Sequence, residues 1–151
     1  MAKLINNERS PYTDVIKLTA ADLVAIGNGG QREIATIPAG GAVELCCVIN
    51  TVDIVGSSSL VIDIGTTLAD PDEFINALDV DAMTVGLPTF NTGDTMVQSA
   101  GTTTTLAGVT PAKAVSADTP IVIEVTDAAA ASITAGEIMI GLRILDLTKF
   151  A

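Results

Sequence analysis

The side chains in this sequence that could do chemistry are two adjacent thiols, Cys46 and Cys47, and a group of carboxylates: Asp63, Asp70, Asp72, Glu73, Asp79 and Asp81. There is no histidine. That removes the commonest general base and the commonest zinc ligand, and no Ser-His-Asp or Cys-His arrangement can be assembled from one chain. A cysteine becomes a nucleophile when a nearby cation lowers its pKa. No Lys or Arg lies near Cys46 and Cys47 in sequence, so both read as small apolar strand residues. Neighbours on a strand point to opposite faces, which argues against a disulfide between them. Paired carboxylates can cleave glycosides and clustered oxygens can hold calcium. EF-hand spacing is missing here, however, and Asp70 to Glu73 has a structural reading given below. Gly27-Asn28-Gly29-Gly30 lacks the Lys-Ser/Thr that completes a phosphate loop. No catalytic, cofactor-binding or metal-binding residue is therefore assigned, and no cofactor is expected. Sugar binding favours exposed aromatics, but the inventory is Tyr12, Phe74, Phe90 and Phe150, with no Trp. Phe90, within PTFNTGD, is the candidate exposed ring, either as a sugar platform or as an interface anchor.

The elements that must hold these residues read as β-strands. Residues 1–12 are polar, end near Pro11, and form an extended arm; residues 13–151 form a single β-sandwich domain. Strands are expected at Asp14–Leu18, Gln31–Ile37, Ala42–Val52, Ser59–Ile64, Pro120–Thr126 and Glu137–Leu147, from period-two alternation between Gly- and Pro-rich turns. In AVELCCVINTV the alternation predicts Val43, Leu45, Cys47 and Ile49 facing the core. Leu60, Ile62 and Ile64 should also point inward, as should Ile121, Ile123 and Val125, and Ile138, Ile140, Leu142 and Ile144. Thr102–Leu106 is a further β-prone piece, and Ala128–Ala131 reads as a loop or single turn. One helix is expected. Asp70-Pro71-Asp72-Glu73 offers an N-cap, a first-turn proline and a capping-box acid, so Asp70 and Glu73 are predicted to cap a short helix burying Phe74, Ile75 and Leu78. The fold class that follows is all-β, a jelly-roll-like antiparallel β-sandwich with one short α-helix.

Composition narrows the partners. With 18 acidic and 7 basic residues the net charge is −11, which gives no cationic surface for nucleic acid or anionic membrane. Apolar residues nevertheless reach 48% and mean hydropathy is +0.53. A body this size hides only part of its surface, so some apolar area is expected to be buried against other subunits. The amino terminus has no apolar signal segment and no run is long enough for a membrane helix, which points to synthesis in a reducing cytoplasm.

The stretch from Ile37 to Gly86, IPAGGAVELCCVINTVDIVGSSSLVIDIGTTLADPDEFINALDVDAMTVG, resembles small β-sandwich proteins of tailed-bacteriophage virions. The shared pattern is a Pro-Ala-Gly turn, a long strand, a Ser-rich turn, a strand ending in Ile-Gly, then Asp-Pro-Asp. Thr134-Ala135-Gly136-Glu137 leading into a strand fits its closing part. The resemblance covers about half the chain and implies a capsid decoration (cement) protein. Such a protein is a homotrimer bound to the major capsid protein on the outer capsid surface. Candidate assembly contacts are Lys3, Leu4, Ile5 and Arg9 on the arm, Tyr12 at its end, and the loops around Phe90 and Ala107. The other reading is a receptor- or glycan-binding head-fibre or tail accessory module, which the scarcity of aromatics disfavours.

Overall fold

Alternating aliphatic residues create strands that are apolar on one face, and such faces are stable when they close on one another. The computed structural model describes residues 12–69, 71–90, 92, 115–146 and 148. Its strands are β1 (Asp14–Thr19), β2 (Gly30–Ile37), β3 (Gly41–Val55), β4 (Val61–Gly65), β5 (Ile75–Asp79), β6 (Pro88–Phe90), β7 (Thr119–Thr126) and β8 (Ala135–Asp146). They form two four-stranded sheets, ordered β1-β8-β3-β6 and β2-β7-β4-β5, with every pairing antiparallel. Strand β1 lies beside β8, β2 beside β7, β3 beside β6 and β4 beside β5. The chain thus winds as a ribbon folded across two layers. That is the jelly-roll order, and the expected all-β sandwich is the observed one.

The core lies between the sheets. One sheet contributes Leu18, Cys46, Val48, Ile138, Ile140 and Leu142; the other contributes Ile37, Ile62, Ile64, Ile121, Ile123 and Val125. Each fully buried aliphatic side chain is worth roughly 1.5–3 kcal/mol over its exposed state. Slipping β4, β7 or β8 by one residue would send a whole row of these into water, which fixes the register.

The inward rows of β4, β7 and β8 match the sequence pattern, but β3 does not. A bulge between Val43 and Leu45 sets Glu44 as an extra residue against Arg143, and an extra residue reverses the facing of everything after it. Cys46, Val48 and Asn50 therefore enter the core, while Leu45, Cys47 and Ile49 face outward, opposite Arg143, Gly141 and Met139.

The helix is also elsewhere. The segment after Pro71 is extended, and β5 pairs with β4 through Val61–Asp79, Ile62–Leu78 and Ile64–Ile75. Phe74 and Ile75 are buried, as expected, but in a strand and its approach. Glu73 caps no helix. Its carboxylate accepts hydrogen bonds from the Thr66 N–H (2.8 Å), the Thr66 hydroxyl (3.0 Å) and the Thr67 hydroxyl, which staples the turn after β4. Gly65 permits this approach: a Cβ there would collide with Glu73 and lie 2.7 Å from the Pro71 carbonyl carbon. Asp70, the other predicted cap residue, lies outside the described residues.

The observed helix is α1 (Ala20–Ile26), between β1 and β2. Thr19 is its N-cap and Asp22 its third residue. The Asp22 carboxylate accepts from the Thr19 N–H (2.9 Å) and hydroxyl (2.7 Å) and pairs with Arg32 (2.8 Å). These contacts, led by the Thr19 N–H, lower its pKa to about 2. Leu23 anchors the helix in the core. Residues 130–132 form a single 3-10 turn, in keeping with the expected loop or single turn.

Candidate functional site

Among the described residues, the carboxylates Asp63, Glu73, Asp79 and Asp81 are engaged by the turns around them. Asp63 accepts from the Ala77 N–H at 2.6 Å, holding a residue with φ of +45°. Asp79 accepts from the Asp81 and Ala82 N–H groups at 3.1 and 3.2 Å. The serine-rich turn is fastened the same way: Ser57 donates to Asp81, Ser58 to Asp127 at 2.6 Å, and Ser59 to Asp79 at 3.4 Å. Asp127 is buried, which alone would raise its pKa. Donors from Ser58, Ala129 and Ser59 outweigh that and lower it. Glu73 shows the same balance, with burial opposed by the Thr66 and Thr67 donors, and its pKa is lowered. Among the described residues no three His, Cys, Asp or Glu side chains are grouped to hold a metal ion. No helix among them is long and apolar enough to cross a membrane. Neither cysteine is in a disulfide, and burial pushes the Cys46 thiol pKa well up.

The unusual surface is the outer face of the β1-β8-β3-β6 sheet. Antiparallel partners project to the same side, so the register lays out that face in rows. Val15, Gly141, Cys47 and Phe90 make one row across all four strands; Lys17, Met139, Ile49 and Pro88 make the next. Arg143 and Leu45 lie beyond the first row, and Glu137 and Val52 beyond the second. Val15 is 54% exposed, and Phe90 and Val52 are each 47% exposed. A solvated antiparallel sheet normally alternates apolar-in with polar-out; here both faces are apolar along the middle of β3 and β8.

Tyr12 and Phe90, both candidate contacts from the sequence, come together on this face. The Tyr12 ring lies over Gly141, where a Cβ would sit 2.7 Å from a ring carbon. The sulfur of Cys47, the cross-strand partner of both Gly141 and Phe90, is hydrogen-bonded with the Tyr12 hydroxyl at 3.1 Å. Loss of the phenol proton beside this sulfur is disfavoured, and with partial burial that raises the Tyr12 pKa to about 12. The other arm candidates, Lys3, Leu4, Ile5 and Arg9, lie outside the described residues, as do Thr102–Leu106 and Ala107.

Charge on the face cancels. Lys17 pairs with Glu137 at 2.5 Å at one end, and Arg143 pairs with Glu44 at 2.9 Å at the other. Lys17 and the Thr51 hydroxyl hold the Glu137 carboxyl below the usual carboxylate range. Asp14 and Asp53 stand exposed at the margins. In a chain of net charge −11, this sheet presents a nearly neutral apolar field framed by two ion pairs.

Comparison with known proteins adds no relative: no family model, curated protein or solved structure matches the chain.

Sequence reading placed Ile49 in the core and singled out neither Val15 nor Met139 as a residue of this face. The signal was present in β3, where LCCVI is apolar at five successive positions. Such a run is expected of a strand covered on both sides.

Proposed function

We propose that this chain is a virion structural protein, a capsid decoration (cement) protein that binds and stabilises the assembled head of a tailed bacteriophage. The observation that carries the reading is the neutral, apolar outer face holding Tyr12, Ile49, Met139 and Phe90. A body with this much exposed apolar area on one sheet is suited to permanent assembly, since large exposed patches mark interaction sites. The resemblance of residues 37–86 to small phage β-sandwich proteins directs that assembly to the phage head. The excess of acid suits the outer capsid surface, away from packaged DNA.

The work done is energetic, without a reaction. Each copy joins neighbouring shell subunits, and many individually weak contacts give strong retention through effective concentration. The arm, residues 1–11 with Lys3, Leu4, Ile5 and Arg9, is the proposed contact with the major capsid protein. The test is co-sedimentation with shells of the phage that encodes the chain, using the full protein and a variant lacking residues 1–11. The full chain should pellet with shells and raise their resistance to heat. The truncated chain should keep its β-sheet circular dichroism but lose most binding. A full chain that stays in the supernatant at saturating shell would refute the assignment; a truncated chain that binds normally would refute the role of the arm.

A further inference from the structure

We infer that the outer face of the β1-β8-β3-β6 sheet is the seat of a second copy of this chain, packed face to face about a two-fold axis that runs across the strands. The argument starts from the order of groups along β8. Its outward residues are Glu137, Met139, Gly141 and Arg143, which read as acid, apolar, apolar, base. Turning a second copy about an axis across the strands sets β8 against β8 in reverse. Glu137 then faces the Arg143 position of the other copy, and Arg143 faces its Glu137 position. Each of these groups is already in an ion pair, Glu137 with Lys17 and Arg143 with Glu44, so the rotation brings the two pairs together with acid set against base, and the pattern is complementary to itself.

The apolar middle fits the same rotation. Met139 comes to lie over the Tyr12 ring and Gly141 of the other copy, a favourable sulfur–aromatic contact. On β3, Ile49 comes over Cys47, and the row ending in Phe90 meets the row ending in Pro88. Gly141 has no side chain, and the Tyr12 ring lies over it, so this position presents an aromatic surface to a partner. Stacked sheets need about 10 Å between backbones, a distance these side chains can span. Rotation about an axis along the strands is poorer: it would place β8 over β3 and leave Glu137 opposite Val52.

Charge favours a copy over a charged partner. The rest of the acidic surface repels other copies, and this neutral face is where two copies can meet with least repulsion. It also offers no net charge with which to recruit a strongly basic or acidic partner. Four strands about 4.8 Å apart and four rows along them give a footprint near 20 by 20 Å, on the order of 400 Å² per copy. That is about half the area per partner of a standard interface, so the pairing is of the weak, concentration-dependent kind. The pairing concerns the same face that carries the particle assignment, but it is tested in solution without shells, so its failure is distinguishable from a failure to bind shells. Its two-fold form also departs from the homotrimer implied by the phage resemblance.

The test uses the full chain in sedimentation velocity over a range of concentrations, joined to cross-linking. The wild type should shift, at tens of micromolar, toward twice its 15.3 kDa mass. A Val15→Asp, Phe90→Asp double variant should weaken pairing on the order of a hundred-fold, with unchanged circular dichroism. Leu68→Asp, exposed in the turn after β4, should pair as the wild type does. In the doubly substituted chain Glu137→Cys, Arg143→Cys, a short thiol-to-thiol cross-linker should join copies covalently. Glu137→Cys alone should not be joined, because the two 137 positions are about 20 Å apart along reversed strands. A monomer at every concentration, a threefold mass, unaffected pairing in the Val15/Phe90 variant, or equal cross-linking of the single cysteine would each overturn the inference.

Discussion

Gly141→Ala probes the contact on which the outer face is built. The added carbon would fall 2.7 and 2.8 Å from Cδ1 and Cε1 of Tyr12 and 3.0 Å from the Cys47 sulfur, whereas carbon atoms settle at about 3.5–4.0 Å. Gly141 is hydrogen-bonded within the sheet between β1 and β3 and has little room to move. Tyr12 precedes β1 and lies outside the sheet ladder, so its ring must lift by roughly 1 Å or swing away. Overpacking of this kind costs about 1–3 kcal/mol, partly offset by the lower chain entropy of Ala, about 0.4–1 kcal/mol. The sharper readout is the phenol itself. The chain has one tyrosine and no tryptophan, so tyrosinate absorbance reports Tyr12 alone. In the wild type its pKa is raised to about 12 by the Cys47 hydrogen bond and partial burial. In Gly141→Ala it should fall toward the ordinary value near 10. The sign for stability follows. A pKa raised by folding contributes stability fully present below about pH 10 and lost as pH rises through about 12. The variant should therefore show the weaker alkaline destabilisation over that window. Absorbance titration with circular dichroism recorded at each pH tests both points. A folded variant whose phenol still titrates near 12, or a wild type that titrates near 10, would refute the reasoning.

Asp127→Asn should cost about 1–3 kcal/mol at neutral pH, because an amide N–H₂ replaces an acceptor among the Ser58 and Ala129 donors. The Asp127 pKa is lowered in the fold, so the wild-type advantage is present above about pH 4 and lost as pH falls below it. Urea unfolding at pH 7 and pH 3 should show the gap narrowing in acid; an equal gap would exclude the charged contact as its source. Asn50→Asp should be more severe, by about 3 kcal/mol or more. Asn50 is fully buried, its amide donates to the Val80 carbonyl at 3.2 Å, and its Oδ1 is without a hydrogen-bond partner. Asp removes the donor and adds a charge, and a melting temperature within a few degrees of wild type would contradict that account.

The parts of the fold legible in sequence were those where side-chain periodicity and tertiary burial agree. In β4, β7 and β8, aliphatic residues recur at every second position without a bulge, and the inward rows can be read directly even though Val122 and Met139 lie between them. Strand β3 shows where alternation fails. Nothing in AVELCC marks Glu44 as a bulge, because the bulge is set by pairing with Arg143 across the sheet, a contact about 100 residues away along the chain. The misplaced helix has a related cause. Asp70-Pro71-Asp72-Glu73 carries every local mark of a helix start, yet Phe74–Asp79 gains more by pairing with β4 and burying Phe74 and Ile75. The capping box that does operate, Thr19 with Asp22, was equally visible in sequence, but only seven residues follow it, too few for a clear helical stripe. For the candidate site, aromatic type alone singled out Tyr12 and Phe90. Their placement on either side of Cys47 depends on strand order, which local sequence does not encode.

The position of β8 has a consequence for how the molecule is made. This strand lies between β1 and β3, so two stretches from the first third of the chain wait for a strand from its final tenth or so. Until Ala135–Asp146 has left the ribosome, the backbone edges of β1 and β3 that it will join have no mate. Folding that depends on such distant partners is slow, and the waiting edges can capture the wrong strand from another nascent chain. Synthesis at high level should therefore be limited by mispairing before completion, a kinetic hazard that stabilising the finished sandwich would not remove.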